Sequence, residues 1–147
     1  MTTQNTIEEN KKIARAYIEK AFNEHHPDLA AIDYLAPEVK WHGGTLGTVE
    51  GIENVTKLVS GFIAALPDLH AAEQDIIAEG DTVVVRLVVE ATQQGDLFGI
   101  SPTARGVRWD AVDIYRISDG KIVEEWASDD MLAVLHQVGA YTPPWLS

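Results

Sequence analysis

The segment RWDAVDIYRISDGKIVEEWASDD, residues 108–130, contains the clearest structural pattern of the chain. Two alternating apolar runs flank turn residues at 118–120, which predicts an antiparallel hairpin. One face of the first strand carries five residues suited to a core and one carboxylate: Val107, Trp109, Ala111, Asp113, Tyr115 and Ile117. A buried carboxylate needs a partner, a proton or water. Asp113 is therefore the first candidate for a functional residue.

Helical patterns precede this hairpin, and strand patterns lie next to it. Apolar residues at helical spacing predict helices over 6–24, 28–35 and 47–66, and a last helix over 130–139. Period-two alternation predicts a brief strand over 38–44 and longer strands over 69–81 and 82–99. We expect one α+β domain over 1–147, in which three N-terminal helices wrap a curved antiparallel sheet into a cone and a short helix ends the chain.

Composition narrows the classes of partner. The chain has 147 residues and a formal net charge of -12, with 23 acidic and 11 basic residues. This balance argues against binding to nucleic acid or to an anionic membrane surface, because both would repel the protein. The absence of cysteine excludes disulfides and a thiolate nucleophile. The N-terminal residues 1–12 lack the pattern of a signal peptide, so we expect a cytoplasmic protein.

Several segments together resemble the SnoaL-like polyketide cyclases of the nuclear transport factor two-like superfamily. They are HGG at 42–44, EGIENV at 50–55, LPDLHAAEQDIIAEGDTVVVR at 66–86 and the long stretch over 99–140. The resemblance implies a cone with an internal hydrophobic pocket, and a homodimer formed through the outer face of the sheet. It also implies acid–base chemistry on a hydrophobic, polyketide-like small molecule, with neither a cofactor nor a metal.

The chain departs from this family at its catalytic positions. The resemblance places the essential aspartate of the ring-closing cyclases at Ala127 and its partner histidine at Asp113. By the same resemblance, many relatives have a histidine at the position that Gln93 occupies in this chain. The acid–base pair of the cyclases is therefore missing, and the fold transfers to this chain more securely than the named reaction.

Hairpin geometry predicts a replacement pair. If a three-residue turn holds Gly120 in a left-handed conformation, Asp113 lies opposite Glu125, and Ala111 lies opposite Ala127. Two facing carboxylates cannot both ionise easily, so the pKa of one rises and the pair can act as acid and base. Two alternatives stay open. Asp113 could simply accept hydrogen bonds within the core, and a one-residue change of register would turn Glu125 outward.

The remaining candidates extend the predicted site. Histidine is a common proton carrier, so His42 could be the acid partner of Asp113, although a regular strand turns only one of Trp41 and His42 inward. We expect Gln93, Trp109, Tyr17 and Trp41 to line the substrate pocket. Asp129 is a weaker candidate at the pocket rim, and Asp130 has a sufficient role as a helix N-cap.

The predicted function is a small cofactor-independent enzyme of cyclase, isomerase or lyase type that acts on a carbonyl-bearing apolar molecule. Asp113 would be the general base, with His42 or Glu125 as its acid partner. One alternative is an epoxide hydrolase of the limonene type, which would need Arg86 or Arg108 beside Asp113. Strand alternation places both arginines on the opposite face. The other alternative is a ligand-binding protein that retains the pocket without catalysis.

Overall fold

The computed structural model describes residues 3–147, with side chains from residue 6 onward. The α-helices are α1 (Thr3–Ile18), α2 (Pro27–Tyr34), α3 (Ile52–Ala65) and α4 (Met131–Gln137). The strands are β1 (Leu35–His42), β2 (Thr48–Glu50), β3 (His70–Glu79), β4 (Thr82–Thr92), β5 (Gly106–Ser118) and β6 (Lys121–Asp129). The strands form one curved sheet in the order β2-β1-β6-β5-β4-β3. The helices pack against it, so the expected α+β cone is confirmed.

The N-terminal helix ends in an irregular turn. Helix α1 passes into a π-helical turn over Glu19–Asn23, and His25 after it has a positive φ of 61°. Its inner stripe is buried and includes Ala14, Tyr17 and Ala21. The predicted helix over 6–24 is therefore correct in position, although it starts earlier and its last turn is wider than an α-helical turn. Residues 1 and 2 of the predicted domain lie outside the described residues.

The sheet is mixed, not fully antiparallel as the sequence predicts. Strand β1 pairs with β6 in parallel, with Trp41 beside Glu125, while the other strand pairs are antiparallel. Turn residues reveal hairpins between consecutive strands, but a parallel pair of strands far apart in sequence leaves no comparable local signal. The three-residue strand β2 was missed because it is too short to show alternation.

The β5–β6 hairpin differs from its predicted geometry in two ways. Ser118 pairs with Lys121, so the turn has two residues, Asp119 and Gly120, with φ of 50° and 76°. These angles are typical of the tight hairpin turn that fits the twist of a sheet. A bulge follows, because Ile117 pairs with Ile122 whereas Arg116 pairs with Glu124. The bulge shifts the register by one residue and therefore determines which face β6 turns inward.

The two changes together correct the predicted pairing. Asp113 lies opposite Ala127, not Glu125. Ala111 lies opposite Asp129, and Glu125 lies opposite Tyr115. The error is two residues, an even number, so the inner face of β6 is as predicted. A two-residue turn without the bulge would have turned Glu125 outward.

The inner face of the sheet and the helices enclose the core. Alternate residues of β4 are buried as predicted: Val83, Val85, Leu87, Val89 and Ala91. Asp130 caps α4, since its side chain accepts a hydrogen bond from the Ala133 backbone N–H at 3.1 Å. Across residues 3–147, no helix combines the length and the apolar character needed to cross a membrane.

Candidate active site

A cavity lies between the inner face of the sheet and helix α3. It measures about 550 Å³ when the open space at its mouth is counted. Its lining is mainly apolar: Phe22, Trp41, Leu58, Val59, Phe62, Leu69, Ala71, Leu87, Val89, Trp109, Ala111 and Ala127. Three carboxylates complete the lining: Asp113, Glu125 and Asp129. No Lys, Arg or His side chain is among these described lining residues, so no cation neutralises the carboxylates there.

Asp113 has an incomplete set of hydrogen bonds. It is only 6% exposed, and its Oδ2 accepts a bond of 3.3 Å from the buried Tyr115 hydroxyl. Its Oδ1 has no hydrogen-bond partner among the described residues. Burial raises the pKa of Asp113 well above its ordinary value, and the nearby Asp129 charge raises it further. The Tyr115 bond opposes this shift without cancelling it.

Glu125 is buried on the neighbouring strand, at a diagonal position to Asp113. It is 3% exposed, and burial raises its pKa well above the ordinary value. The charges of Asp113 and Asp129 raise that pKa further. Since Asp113 lies opposite Ala127, it is diagonal to both Glu125 and Asp129, a relation that corresponds to about 7–8 Å between backbones. The three carboxylates therefore interact electrostatically.

Asp129 is the third carboxylate of the cavity and lies deeper than the rim position predicted from sequence. It is only partly exposed, lines the cavity, and accepts a hydrogen bond of 2.8 Å from the Trp109 indole N–H. Burial raises its pKa, while the bond from Trp109 lowers it. The signal was present in the sequence, because Glu125, Ala127 and Asp129 alternate along one face. The sequence predicts Asp129 only as a weaker candidate at the pocket rim.

Two tyrosines pack beneath the carboxylates. Tyr17 of α1 and Tyr115 of β5 meet edge to face with ring centroids 6.1 Å apart. Both are almost fully buried, and burial raises the pKa of each well above the ordinary value, with a further contribution from Glu125. The two side chains thus stay protonated and can donate hydrogen bonds. Tyr17 is not among the residues that line the cavity, unlike the prediction.

Of the predicted pocket residues, Trp41 and Trp109 line the cavity, but Gln93 does not. The Gln93 side chain is fully buried beneath the loop between β4 and β5. Its amide nitrogen donates to carbonyl oxygens of that loop, including that of Ile100 at 2.9 Å, and its oxygen accepts from the Thr103 hydroxyl at 2.7 Å. Because these bonds occupy the amide, the predicted role of orienting a substrate is corrected to holding a loop.

His42 lies on the outer face of the sheet, which corrects the prediction that it partners Asp113. Its Nε2 lies 2.7 Å from a Glu124 oxygen and its Nδ1 3.1 Å from the Thr48 hydroxyl. Its ring stacks on Trp126, with centroids 5.4 Å apart. Strand alternation is the physical reason, because turning Trp41 inward turns its neighbour outward. His42 therefore contributes nothing to the cavity.

The arginines needed for the epoxide hydrolase alternative also lie away from the cavity. Arg86 pairs with Asp75 at 2.6 Å, and Arg108 pairs with Glu90, all on the outer face. Among the residues that the structure describes, no group of three or more His, Cys, Asp or Glu has an arrangement suited to a metal ion. The cavity thus offers carboxylates and indole N–H groups as its polar chemistry.

Comparison with known proteins assigns the family. The sequence profile of the SnoaL-like polyketide cyclases matches residues 11–138, so the chain belongs to that family. AclR, a putative hydroxylase from Streptomyces galilaeus, is 29% identical, with 92% of this chain and 99% of AclR covered and a TM-score of 0.80. IdmH, a putative polyketide cyclase from Streptomyces antibioticus, is 28% identical, with 88% and 98% covered and a TM-score of 0.74.

A third structure supports the fold alone. A putative SnoaL-like polyketide cyclase from Jannaschia has a TM-score of 0.85 over 93% of this chain and 95% of its own, but it is only 22% identical. A search of the curated proteins gave no match.

Proposed function

We propose that the protein is a cofactor-independent enzyme that moves protons on a neutral, apolar, carbonyl-bearing small molecule, as a cyclase or an isomerase does. The observation that carries the proposal is the unpartnered Oδ1 of buried Asp113 in a cavity with two more carboxylates and no cation. A purely structural carboxylate would have its hydrogen bonds satisfied. Asp113 lines the cavity, and we infer that its Oδ1, which has no protein partner, bonds to a ligand there. The relatives' names mention both a cyclase and a hydroxylase, so the proposed reaction rests on the cavity itself.

The reaction needs one ionised and one protonated carboxyl. The ionised group removes a proton from the carbon next to the carbonyl, and the C–H electron pair becomes a carbon–carbon double bond. The carbonyl oxygen takes the displaced electron pair and receives the proton of the second carboxyl. The resulting enol carbon can attack an electrophilic carbon to close a ring, or can regain a proton at another carbon to complete an isomerisation.

Hydrogen–deuterium exchange tests this function without the natural substrate. In D₂O, the wild-type protein should accelerate exchange at the carbons next to the carbonyl of 2-tetralone, a neutral bicyclic ketone, as followed by proton NMR. Asp113→Asn should reduce the rate by about 100-fold or more, the usual size of a general acid–base contribution. Asp110→Asn is the matched control, because Asp110 lies on the same strand with its side chain on the outer face.

The proposal fails if the wild type exchanges 2-tetralone no faster than buffer, or if Asp113→Asn is as active as Asp110→Asn. Either result would favour the alternative of a non-catalytic protein that binds an apolar ligand in the same cavity. The epoxide hydrolase alternative has no supporting contact, because Arg86 and Arg108 are paired on the outer face.

A further inference from the structure

Asp129 differs from the other carboxylates of the cavity in its hydrogen-bond donor. Asp129 alone accepts a hydrogen bond from an indole, at 2.8 Å from Trp109 Nε1. Trp109 is itself 5% exposed, and it stands two residues before Ala111, the residue that pairs with Asp129. An N–H donor that approaches one carboxylate stabilises the negative charge at that position. The donor is held by a buried ring, so its direction is set by packing.

The surroundings of Asp129 supply no competing cation. The titratable groups around it are Asp113 and Glu125 along the cavity, with the protonated Tyr17 and Tyr115 beneath these two. The other described elements that face the cavity contribute apolar or indole side chains: Phe22 from the π-helical turn, Trp41 from β1, Leu58, Val59 and Phe62 from α3, Ala71 from β3, and Leu87 and Val89 from β4. His136 of α4 is not a lining residue, and Asp130 caps α4. Asp113 also accepts a bond, from the Tyr115 hydroxyl at 3.3 Å, but the 2.8 Å bond from Trp109 to Asp129 is shorter. A single negative charge shared among the three carboxyls is therefore stabilised most on Asp129.

We propose that Trp109, through its indole N–H, places the negative charge of the cluster on Asp129, which makes Asp129 the base and Trp109 its positioning residue. Asp113 then keeps its proton, and its carboxyl, whose Oδ1 has no partner among the described residues, is the group that bonds to a substrate carbonyl. This reverses the role predicted for Asp113 from sequence. It also defines the substrate class more narrowly, because a ligand carrying its own carboxylate would meet the charge of Asp129. The inference rests on the proposed function for its catalytic part.

The reaction uses two proton transfers, one to Asp129 and one from Asp113. The Asp129 carboxylate gains the proton from the substrate carbon, and Asp113 gives its proton to the carbonyl oxygen. The enol forms with the total charge of the cluster unchanged, and the reverse transfers restore both groups. The rate should consequently show a bell-shaped dependence on pH, with ionisation of Asp129 on the acidic limb and loss of the Asp113 proton on the basic limb.

The test is a carboxyl-resolved carbon-13 NMR titration of the wild type, Trp109→Phe and Trp41→Phe, with the pH profile of 2-tetralone exchange. Trp109→Phe keeps an aromatic ring but removes the donor, so the pKa of Asp129 and the acidic limb should both rise by about one pH unit or more. Trp41→Phe removes the other cavity indole, which does not bond to Asp129, and should leave the Asp129 titration unchanged.

A measurement on the wild type covers the case in which Trp109→Phe does not fold. The nitrogen-15 and proton shifts of the Trp109 indole N–H should follow the titration of Asp129, which should ionise at lower pH than Asp113. An indole signal that ignores this titration, or a folded Trp109→Phe with an unchanged Asp129 pKa, would overturn the inference. Absence of wild-type exchange would instead overturn the proposed function, while the NMR titrations would still decide the role of Trp109.

Discussion

Asp113 is a buried acid whose environment favours the protonated form. Its neighbours in the cavity are two more carboxylates, and its hydrogen-bond donor within the protein is the Tyr115 hydroxyl. Desolvation and like charge act in the same direction, so the pKa values of Asp113 and Glu125 both rise. Ionisation of Asp113 and Glu125 therefore destabilises the folded state and lowers the free energy of unfolding by a measurable amount.

The free energy of unfolding should therefore fall with rising pH because of these two residues. Their folded pKa values lie above the unfolded ones, so the folded state binds more protons, and this stability is lost as pH rises from the unfolded value of about 4 through the folded value. The double variant Asp113→Asn, Glu125→Gln lacks both titrating groups. Its free energy of unfolding, relative to that of the wild type, should rise by about 1.4 kcal/mol per pH unit for each carboxyl that stays protonated in the folded wild type.

Urea unfolding between pH 4.5 and 7.5, a range of about three units around the expected transitions, measures this difference. The outer-face variant Asp110→Asn should run parallel to the wild type. If the double variant also runs parallel to the wild type, neither carboxyl retains a proton, and the electrostatic account of the cavity is wrong.

At the scale of elements, the HGG segment has a packing function. A Cβ on Gly43 would lie 2.1 Å from Cη2 of Trp41, so the indole lies directly over the Gly43 backbone. The glycine thus lets Trp41 fold over the strand end and line the cavity. The sequence alone does not reveal this requirement, because it depends on the position of the ring.

Gly43→Ala should displace the Trp41 ring and lower the free energy of unfolding by about 1–3 kcal/mol through overpacking. Tryptophan emission and denaturant unfolding would detect both effects. Gly106→Ala is the control, since a Cβ there meets nothing within 4 Å. Equal stability of the two variants would contradict the proposed packing role.

The loop between β4 and β5 depends on Gln93 in a similar way. Gln93→Leu would remove the buried amide from Ile100 and Thr103 and leave their polar groups unsatisfied, at a cost of about 1–3 kcal/mol. Amide hydrogen exchange should become faster over residues 94–105. Gln94→Leu is the control, because the Gln94 side chain is exposed to solvent. If amide hydrogen exchange over this loop is unchanged in Gln93→Leu, the loop is stable without the Gln93 hydrogen bonds and the proposed role is wrong.

Local patterns predicted much of this architecture, and their failures have physical causes. Alternation placed Asp113, Trp109 and Glu125 on the inner face correctly, because a strand pattern survives any even shift of register. It did not predict the bulge at β6, since no residue type there requires one. Alternation requires that Trp41 and His42 face opposite sides of the sheet, but it does not say which of them faces inward. That orientation depends on the packing of the whole fold.

At the scale of the whole molecule, the homodimer stays a prediction. The outer face of the sheet exposes a partly apolar surface that includes Val112, Ile114 and Trp126. If a second copy covers this surface, Ile114→Lys should convert a dimer into a monomer in sedimentation equilibrium. Ile32→Lys on α2 should not, although Ile32 is 69% exposed. A monomeric wild type, or a dimer that tolerates Ile114→Lys, would contradict the prediction.

The proposed chemistry requires that the cavity keep one carboxyl protonated at neutral pH beside one that is ionised. The most direct measurement is the pKa of Asp113 in the wild type, by carboxyl-resolved NMR titration with Asp113→Asn to assign the signal. We expect the pKa of Asp113 to lie well above the ordinary value of about 3.9, with a second inflection in the titration curve from a coupled carboxyl. A single titration at or below the ordinary value would contradict it and leave Asp113 as a structural residue.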